Sequence, residues 1–318
     1  MKLLLISDLH LTSITPIARK DNVLKTGLGK LRYVLEYAKK HNCTILEAGD
    51  FADKSRDWNL LYELHKLLKK YNVPILAIQG QHDYYYRSKL GNNASTMGVL
   101  EQSGLVKILL RPEYLDIPES CSALHPPWKI YPVNWDEDVT IEKDTFNNTI
   151  LLAHAPISPI RVHPRQKVTT TKEFKKLHEN WDLVLLGDIH RWFESGKGDK
   201  NNTTYIVNTG PMMRLEATEY NMTHKPCFYI FDTNTRQLIR KIIPHEPSDK
   251  VLDTAHIKPE TEKEYDEDRI NELATAMQQT FKDDPQKKKL AEILTKKKVS
   301  KSVRKIIVDV YNKVMEKK

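Results

Sequence analysis

Five short apolar runs in this chain stop abruptly at residue types that hold metal ions. "KLLLIS" runs into Asp8-Leu9-His10, "CTILEA" into Gly49-Asp50 with Asp53 three residues on, and "VPILAIQ" into Gly80-Gln81-His82-Asp83. "TILLAH" closes on His154, and "LVLLGD" closes on Asp188 with His190 two residues further. Short apolar runs bounded by glycine and polar residues suit buried strands. One His or Asp at a strand end is ordinarily a loop residue bonded to its neighbours. Five in series point instead to side chains converging on one crevice at the carboxyl ends of strands. Gly49, Gly80 and Gly187 let the chain turn sharply there and let backbone approach the crevice.

Between these runs lie helical patterns. "LRYVLEYAKKH" and "WNLLYELHKLLKKY" carry apolar residues three and four apart, and "STMGVLEQSG" reads as a short helix stopped by Gly104. Further strands are expected at 203–208, 227–232 and 236–243. Two joined βαβ units followed by a strand-rich half predict an α/β fold, a two-sheet sandwich flanked by helices. "PHEPSDK" marks a linker, giving a main domain over 1–245, a linker over 246–260 and a small helical module over 261–318. In that module Ile270, Leu273, Ala274 and Met277 share one helical face, and Val303, Ile306, Ile307, Val310, Tyr311 and Val314 another.

The 318 residues carry a formal net charge of +8, unevenly spread. From Gln286 to Lys318 there are twelve Lys/Arg and three Asp/Glu, leaving 38 basic against 39 acidic residues elsewhere. The stretch from Glu260 to Pro285 has nine acidic and three basic residues. Such a boundary fits an appended module with its own partner, or a solvated lysine-rich surface. No apolar run approaches the ~18–20 residues of a membrane helix, and "MKLLLIS" reads as a buried strand rather than a targeting segment. Cys43, Cys121 and Cys227 are far apart with no CxxC. That predicts a cytoplasmic protein and argues against thiolate ligation.

The series D-x-H, G-D-x-x-D, G-Q-H-D, a lone His and G-D-x-H resembles the calcineurin-like metallophosphoesterases over roughly residues 1–245. Within them the chain is most similar to the SbcD-type DNA exonucleases, including those of bacteriophages. The helix "ASTMGVLEQSG" after "GQHD" and the stretch "NTGPMMRLEATEYNMTHKPCFYIFD" carry that likeness. The resemblance implies a two-metal centre with manganese as the first expectation and magnesium or iron(II) as alternatives. Asp8, His10, Asp50 and His190 would hold one ion, with Asp50 bridging; Gln81, His154 and Asp188 would complete the other. Mixed carboxylate, amide and imidazole donors suit such ions, and a two-ion clamp suits in-line displacement at phosphorus. His82 would face the leaving oxygen as a catalytic imidazole, and Asp53 or Asp83 would orient it or a ligand. Two departures stand out. Gln81 occupies the family's Asn position, and Asp188 that of the first His in G-H-x-H; both retain an oxygen able to ligate.

The resemblance further implies hydrolysis of DNA as the nuclease subunit of an SbcCD-like repair and recombination complex. The C-terminal helices would dock on an SbcC-like coiled-coil ATPase, with a homodimer left open and the host cytoplasm as location if the chain is phage-encoded. Candidate DNA contacts are Arg19 and Lys20, Tyr84, Arg87 and Lys89 in the run after "GQHD", residues 163–167, and Arg191. A stand-alone phosphodiesterase or phosphatase is the enzymatic alternative. A non-enzymatic scaffold is the third reading, disfavoured by retention of Asp8, His10, Asp50, His82, His154 and His190.

Overall fold

The computed structural model describes residues 1–85, 94–115, 127–139, 148–160, 168–177, 181–196, 205–253 and 255, all within one compact unit, Met1–Pro259. The first half follows the βαβ pattern: β1 (Lys2–Ile6), α1 (Val23–His41), β2 (Cys43–Glu47), α2 (Trp58–Tyr71), β3 (Ile75–Ala77), α3 (Thr96–Gln102) and β4 (Lys107–Ile108). Then come β5 (Glu113–Tyr114), β6 (Lys129–Val133), β7 (Thr149–His154), β8 (Ile157–Ser158), β9 (Thr169–Thr170), α4 (Thr171–Leu177) and β10 (Leu183–Gly187). The last are β11 (Phe193–Ser195), β12 (Tyr205–Asn208), α5 (Glu219–Thr223), β13 (Cys227–Asp232), β14 (Leu238–Ile242) and α6 (Ser248–Val251). Residues 256–318, where the helical module is expected, lie outside the described residues.

The strands form two six-stranded sheets, ordered β14-β13-β1-β2-β3-β4 and β11-β12-β10-β7-β6-β5. In each, four neighbouring strands run parallel, so their carboxyl ends share one edge. Strand alternation explains why the runs are apolar throughout. Leu3 and Leu5 of β1 pack between the sheets with Leu46, Ile150, Leu152, Leu183, Leu185 and Val207. Leu4 and Ile6 face the other way, into the layer built with α1 and α2. On the far face of the second sheet, Leu151, Ala153, Val184, Leu186 and Ile206 meet Phe174 and Trp181. Each fully buried Leu contributes ~1.5–3 kcal/mol relative to exposure, so both faces of each sheet must be covered.

The helices are tuned to that role. In α1, Leu31, Val34, Leu35 and Ala38 make a buried stripe; Asn22 caps its start by accepting from Lys25 N, and Asn42 ends it in the left-handed region. In α2 the cap is Asp57, which accepts from Leu60 N at 3.0 Å and from Ser13 N and Ser13 Oγ, both at 2.6 Å. That pins the loop after β1 to the start of α2. No helix among the described residues is long and apolar enough to cross a membrane.

Two features depart from the sequence pattern. "KIYPV" (β6) is a strand despite its proline. Pro132 pairs only with Leu152 of β7, because β5 reaches no further along β6 than Ile130, so no ladder hydrogen bond is forfeited on the outer side. The segment read as a linker from 246 begins as packed structure. Arg214 donates to Glu246 O and Ser248 Oγ, and Ser248, Val251 and Leu252 are buried.

Candidate metal centre

The five strand ends meet at the shared edge of the two sheets. The turns are tight enough to force unusual backbone: Asp8 (φ 51°), His10 (φ 44°), Asp50 (φ 59°) and Asp188 (φ 83°) all lie in the left-handed region, sparsely populated by non-glycine residues. Hydrogen bonds hold them there. Asp8 N donates to Gly49 O at 3.1 Å and His10 N to Asp50 O at 2.9 Å, zipping the β1 and β2 loops together. Gly80 is required by close approach, since a Cβ there would run into the Asp50 carboxylate and Asp50 N.

Asp8, His10, Asp50 and His190 offer ligand atoms that all lie within 4.8 Å of one another. His10 Nε2 is 3.6 Å from Asp50 Oδ2 and 2.8 Å from His190 Nε2, and His190 Nε2 is 3.8 Å from Asp8 Oδ1. The other expected set adjoins it through Asp50. His154 Nε2 lies 3.5 Å from Asp50 Oδ2 and 2.9 Å from Gln81 Oε1, while Gln81 Nε2 donates to Asp188 Oδ1 at 3.2 Å. The extra methylene of Gln81 is therefore accommodated with its amide between His154 and Asp188.

The donor set fits cations on three observations. Asp8 Oδ2, Asp50 Oδ2 and His10 Nδ1 are buried without a hydrogen-bond partner, a costly arrangement for charged oxygens unless a cation satisfies them. His154 donates from Nδ1 to Ala48 O at 2.7 Å, which turns Nε2 toward Asp50 and Gln81 as the atom that a cation would take in place of a proton. The His10 and His190 Nε2 atoms likewise face each other. Electrostatics agree. Burial pushes the Asp8 carboxyl up to about 6. At Asp50 burial is outweighed by the imidazoles of His154, His10 and His82, which hold it below the usual range. Burial depresses His154, yet Asp50, Asp8 and Asp188 lift it to about 10; His190, its side chain 48% exposed, is pushed down by the desolvated inner side of its ring and by His10. Neighbouring imidazoles split so far apart mark a site that seeks positive charge and cannot protonate every nitrogen at once.

His82 sits at the mouth, half-exposed. Its main-chain N donates to Asp50 Oδ1 at 2.9 Å, and its Nδ1 donates to Asp53 O at 2.7 Å. His10, Asp53 and His82 form a second converging group, with Asp53 Oδ1 3.6 Å from His10 Nδ1 and 4.0 Å from His82 Nδ1. Asp53 thus lies against both imidazoles. Asp83 does something else: its buried carboxylate accepts from Asp50 N, Gly80 N, Ala52 N and Phe51 N, clamping the β2 and β3 turns. Burial and the Asp50 charge raise its carboxyl to about 7. Glu47, at the end of β2, was not singled out by the sequence. It is fully buried with both oxygens unpaired, and burial together with Asp83 pushes it well above the usual carboxylate range. A glutamate interrupting "CTILEA" was its only trace.

The outlying candidates divide. Arg19 is 6% exposed and paired with Asp21 at 2.8 Å, inside the domain. Tyr84 is 4% exposed with its ring 6.3 Å from that of Trp135. Lys20 is exposed and donates to Asp249 O. Arg191 lies 5.4 Å over the Tyr220 ring, half-buried at the rim. Arg87, Lys89 and residues 163–167 lie outside the described residues.

Two facing sheets that gather carboxylates, imidazoles and an amide at one edge define a scaffold of the metallophosphoesterase class. A family model for calcineurin-like phosphoesterases matches residues 1–192, and the chain belongs to that family. No curated protein matches it. Among solved structures it is similar to a hypothetical protein from Pyrococcus horikoshii OT3, at 11% identity and a TM-score of 0.39, over 91% of this chain and 97% of that one.

Proposed function

We propose that this phosphoesterase is a metal-dependent DNA nuclease, acting as the nuclease subunit of an SbcCD-like complex. The observation that carries the hydrolase reading is the pair of buried, unpartnered carboxylate oxygens on Asp8 and Asp50, ringed by His10, His154 and His190. Asp8, His10, Asp50 and His190 would hold one ion, and Asp50, Gln81, His154 and Asp188 a second, with manganese the first expectation. When bound, divalent cations there supply Lewis acidity toward a phosphate ester and toward water. The protein's own part is to hold groups in place. Ala48 O fixes the His154 tautomer, and Asp53 O fixes that of His82. Held this way, His82 would protonate the departing oxygen of a phosphodiester from Nε2 only as the imidazolium, its Nδ1 proton staying on Asp53 O.

DNA as substrate, and docking of residues 261–318 on a coiled-coil ATPase, rest on the motif resemblance. Burial of Arg19 and Tyr84 removes two of the surface groups expected to touch DNA, and this favours the second reading, a stand-alone phosphodiesterase or phosphatase. Labelled linear DNA incubated with Mn²⁺ separates them, comparing wild type with Asp8→Ala and His82→Ala. Degradation by wild type and loss in both variants supports the proposal. Full activity in both variants would sink the mechanism. Cleavage of bis-p-nitrophenyl phosphate without any cleavage of DNA, with or without an ATPase partner, would leave the second reading.

A further inference from the structure

Away from the metal centre, three cations are buried side by side: Arg19 at 6%, Lys30 at 4% and Arg214 at 2% exposure. One carboxylate, Asp21, is at hand, and it pairs with Arg19 alone, accepting from Nε and Nη2 along one edge of the guanidinium. Lys30 Nζ donates to Met212 O at 2.6 Å. Arg214 donates to Ser248 Oγ at 2.5 Å and Glu246 O at 2.6 Å, and its buried Nε has no partner. Among the described residues neither Lys30 nor Arg214 meets a carboxylate. A buried charge answered only by neutral dipoles is expensive, and a counter-anion relieves it.

Arg214 also lines a cavity of about 350 Å³ beside α5 and α6. Lys225, His224, His245, Thr223 and Ser248 share its wall; Asp249 is the acidic residue there, exposed on α6. The positive field in this region is visible on its histidines. Burial depresses His245, and Arg214, Lys30 and Lys225 depress it further. The cavity is roomy enough for a tetrahedral oxyanion, given that a water occupies roughly 30 Å³. Guanidinium, ammonium and hydroxyl donors around one space suit phosphate oxygens.

We propose that this cavity binds a phosphate-class oxyanion, which supplies the counter-charge that Arg214 in its wall lacks. The site stands apart from the metal ligands but is joined to them through residues 211–212. His224 donates from Nε2 to Pro211 O, Lys30 donates to Met212 O, and Met212 N donates to Asp8 O. Free phosphate, a nucleotide monophosphate or a backbone phosphate of nucleic acid all offer the required chemistry.

Calorimetric titration of the full chain with inorganic phosphate, in EDTA and against chloride of equal ionic strength, tests it. Wild type should bind phosphate saturably. Lys225→Glu should weaken binding at least about tenfold, the scale of one charge-assisted contact. Lys241→Glu, exposed on β14 and outside the wall, should bind like wild type. Asp8→Asn, which keeps the left-handed turn, should too, so a chain impaired at the metal centre still reports on this site. Competition with a deoxynucleoside monophosphate or a short DNA duplex then identifies the source, and displacement by either supports the site. Absence of saturable binding beyond the chloride control, or equal affinity in Lys225→Glu and wild type, overturns it.

Discussion

Replacing Asp83 with alanine should loosen the whole metal centre, although Asp83 touches neither a substrate nor an expected ion. Its carboxylate accepts from Asp50 N at 2.9 Å and Gly80 N at 3.0 Å, with longer contacts to Ala52 N at 3.3 Å and Phe51 N at 3.4 Å. All four donors are main chain, and Asp83 is 1% exposed, so water cannot replace the lost acceptor. A buried donor left unsatisfied costs ~1–3 kcal/mol, so the two short bonds alone amount to about 2–6 kcal/mol. Against the ~5–15 kcal/mol that holds a typical domain, the variant should fold but be visibly weakened. Asp83→Asn retains one acceptor oxygen while turning an N–H toward the remaining donors, and should fall between the two. Urea unfolding in EDTA reads these losses without any metal contribution, and titration with Mn²⁺ should show weaker binding in the same order. A midpoint for Asp83→Ala equal to wild type, at an unchanged m value, would refute the clamp. Added salt should not mask the effect, because the bonds are buried.

Acid should destabilise the domain through His224. Burial first, then Lys30, Arg214 and Arg240, lower its pKa from 6.5 to about 4, so between those values the unfolded chain binds more protons than the folded one. Its contribution is intact above pH 6.5 and is lost as pH falls toward 4, a change of about 3 kcal/mol. His224→Gln should flatten that part of the curve of unfolding free energy against pH in chloride buffer, and an unchanged slope would count against it. Gly80→Ala drives a Cβ into the Asp50 carboxylate. It should lower Mn²⁺ affinity more than overcrowding lowers stability, about 1–3 kcal/mol; normal affinity would show that Asp50 is not a ligand. Gln81→Asn should keep phosphodiesterase activity, whereas Gln81→Ala should weaken metal binding about 10–100-fold. Equal affinity in Gln81→Ala and wild type would make the amide a bystander.

The strand ends were legible because parallel strands covered on both faces read as apolar runs, and the polar residues just beyond those runs form the site. β7 and β13 match their apolar runs residue for residue for this reason. β6 was not legible, because its proline is tolerated only through the shortness of β5, a fact about a neighbour in space. Asp83 illustrates the same limit within the site. Adjacent to His82, it invites a catalytic reading, but three of its four donors belong to a turn more than thirty residues earlier. Arg19 and Tyr84 look like surface groups in a polar context, and only packing shows them enclosed. The cavity beside α5 and α6 had no linear trace, since Arg214, Lys225 and Ser248 come from separate segments that only the fold brings together.

The left-handed backbone at Asp8, His10, Asp50 and Asp188 narrows the set of tolerated replacements twice over. Outside glycine, that conformation is adopted most readily by Asn, Asp and His, and these are also side chains that carry an oxygen or nitrogen to a cation. The two demands select nearly the same short alphabet. A change at such a position can therefore trade one ligand chemistry for another without refolding the turn, as Asp188 does where the family pattern has His. An alanine or valine there fails on both counts, so such scans will overstate how much of the loss belongs to the metal. Exchanges among Asp, Asn and His separate the two contributions.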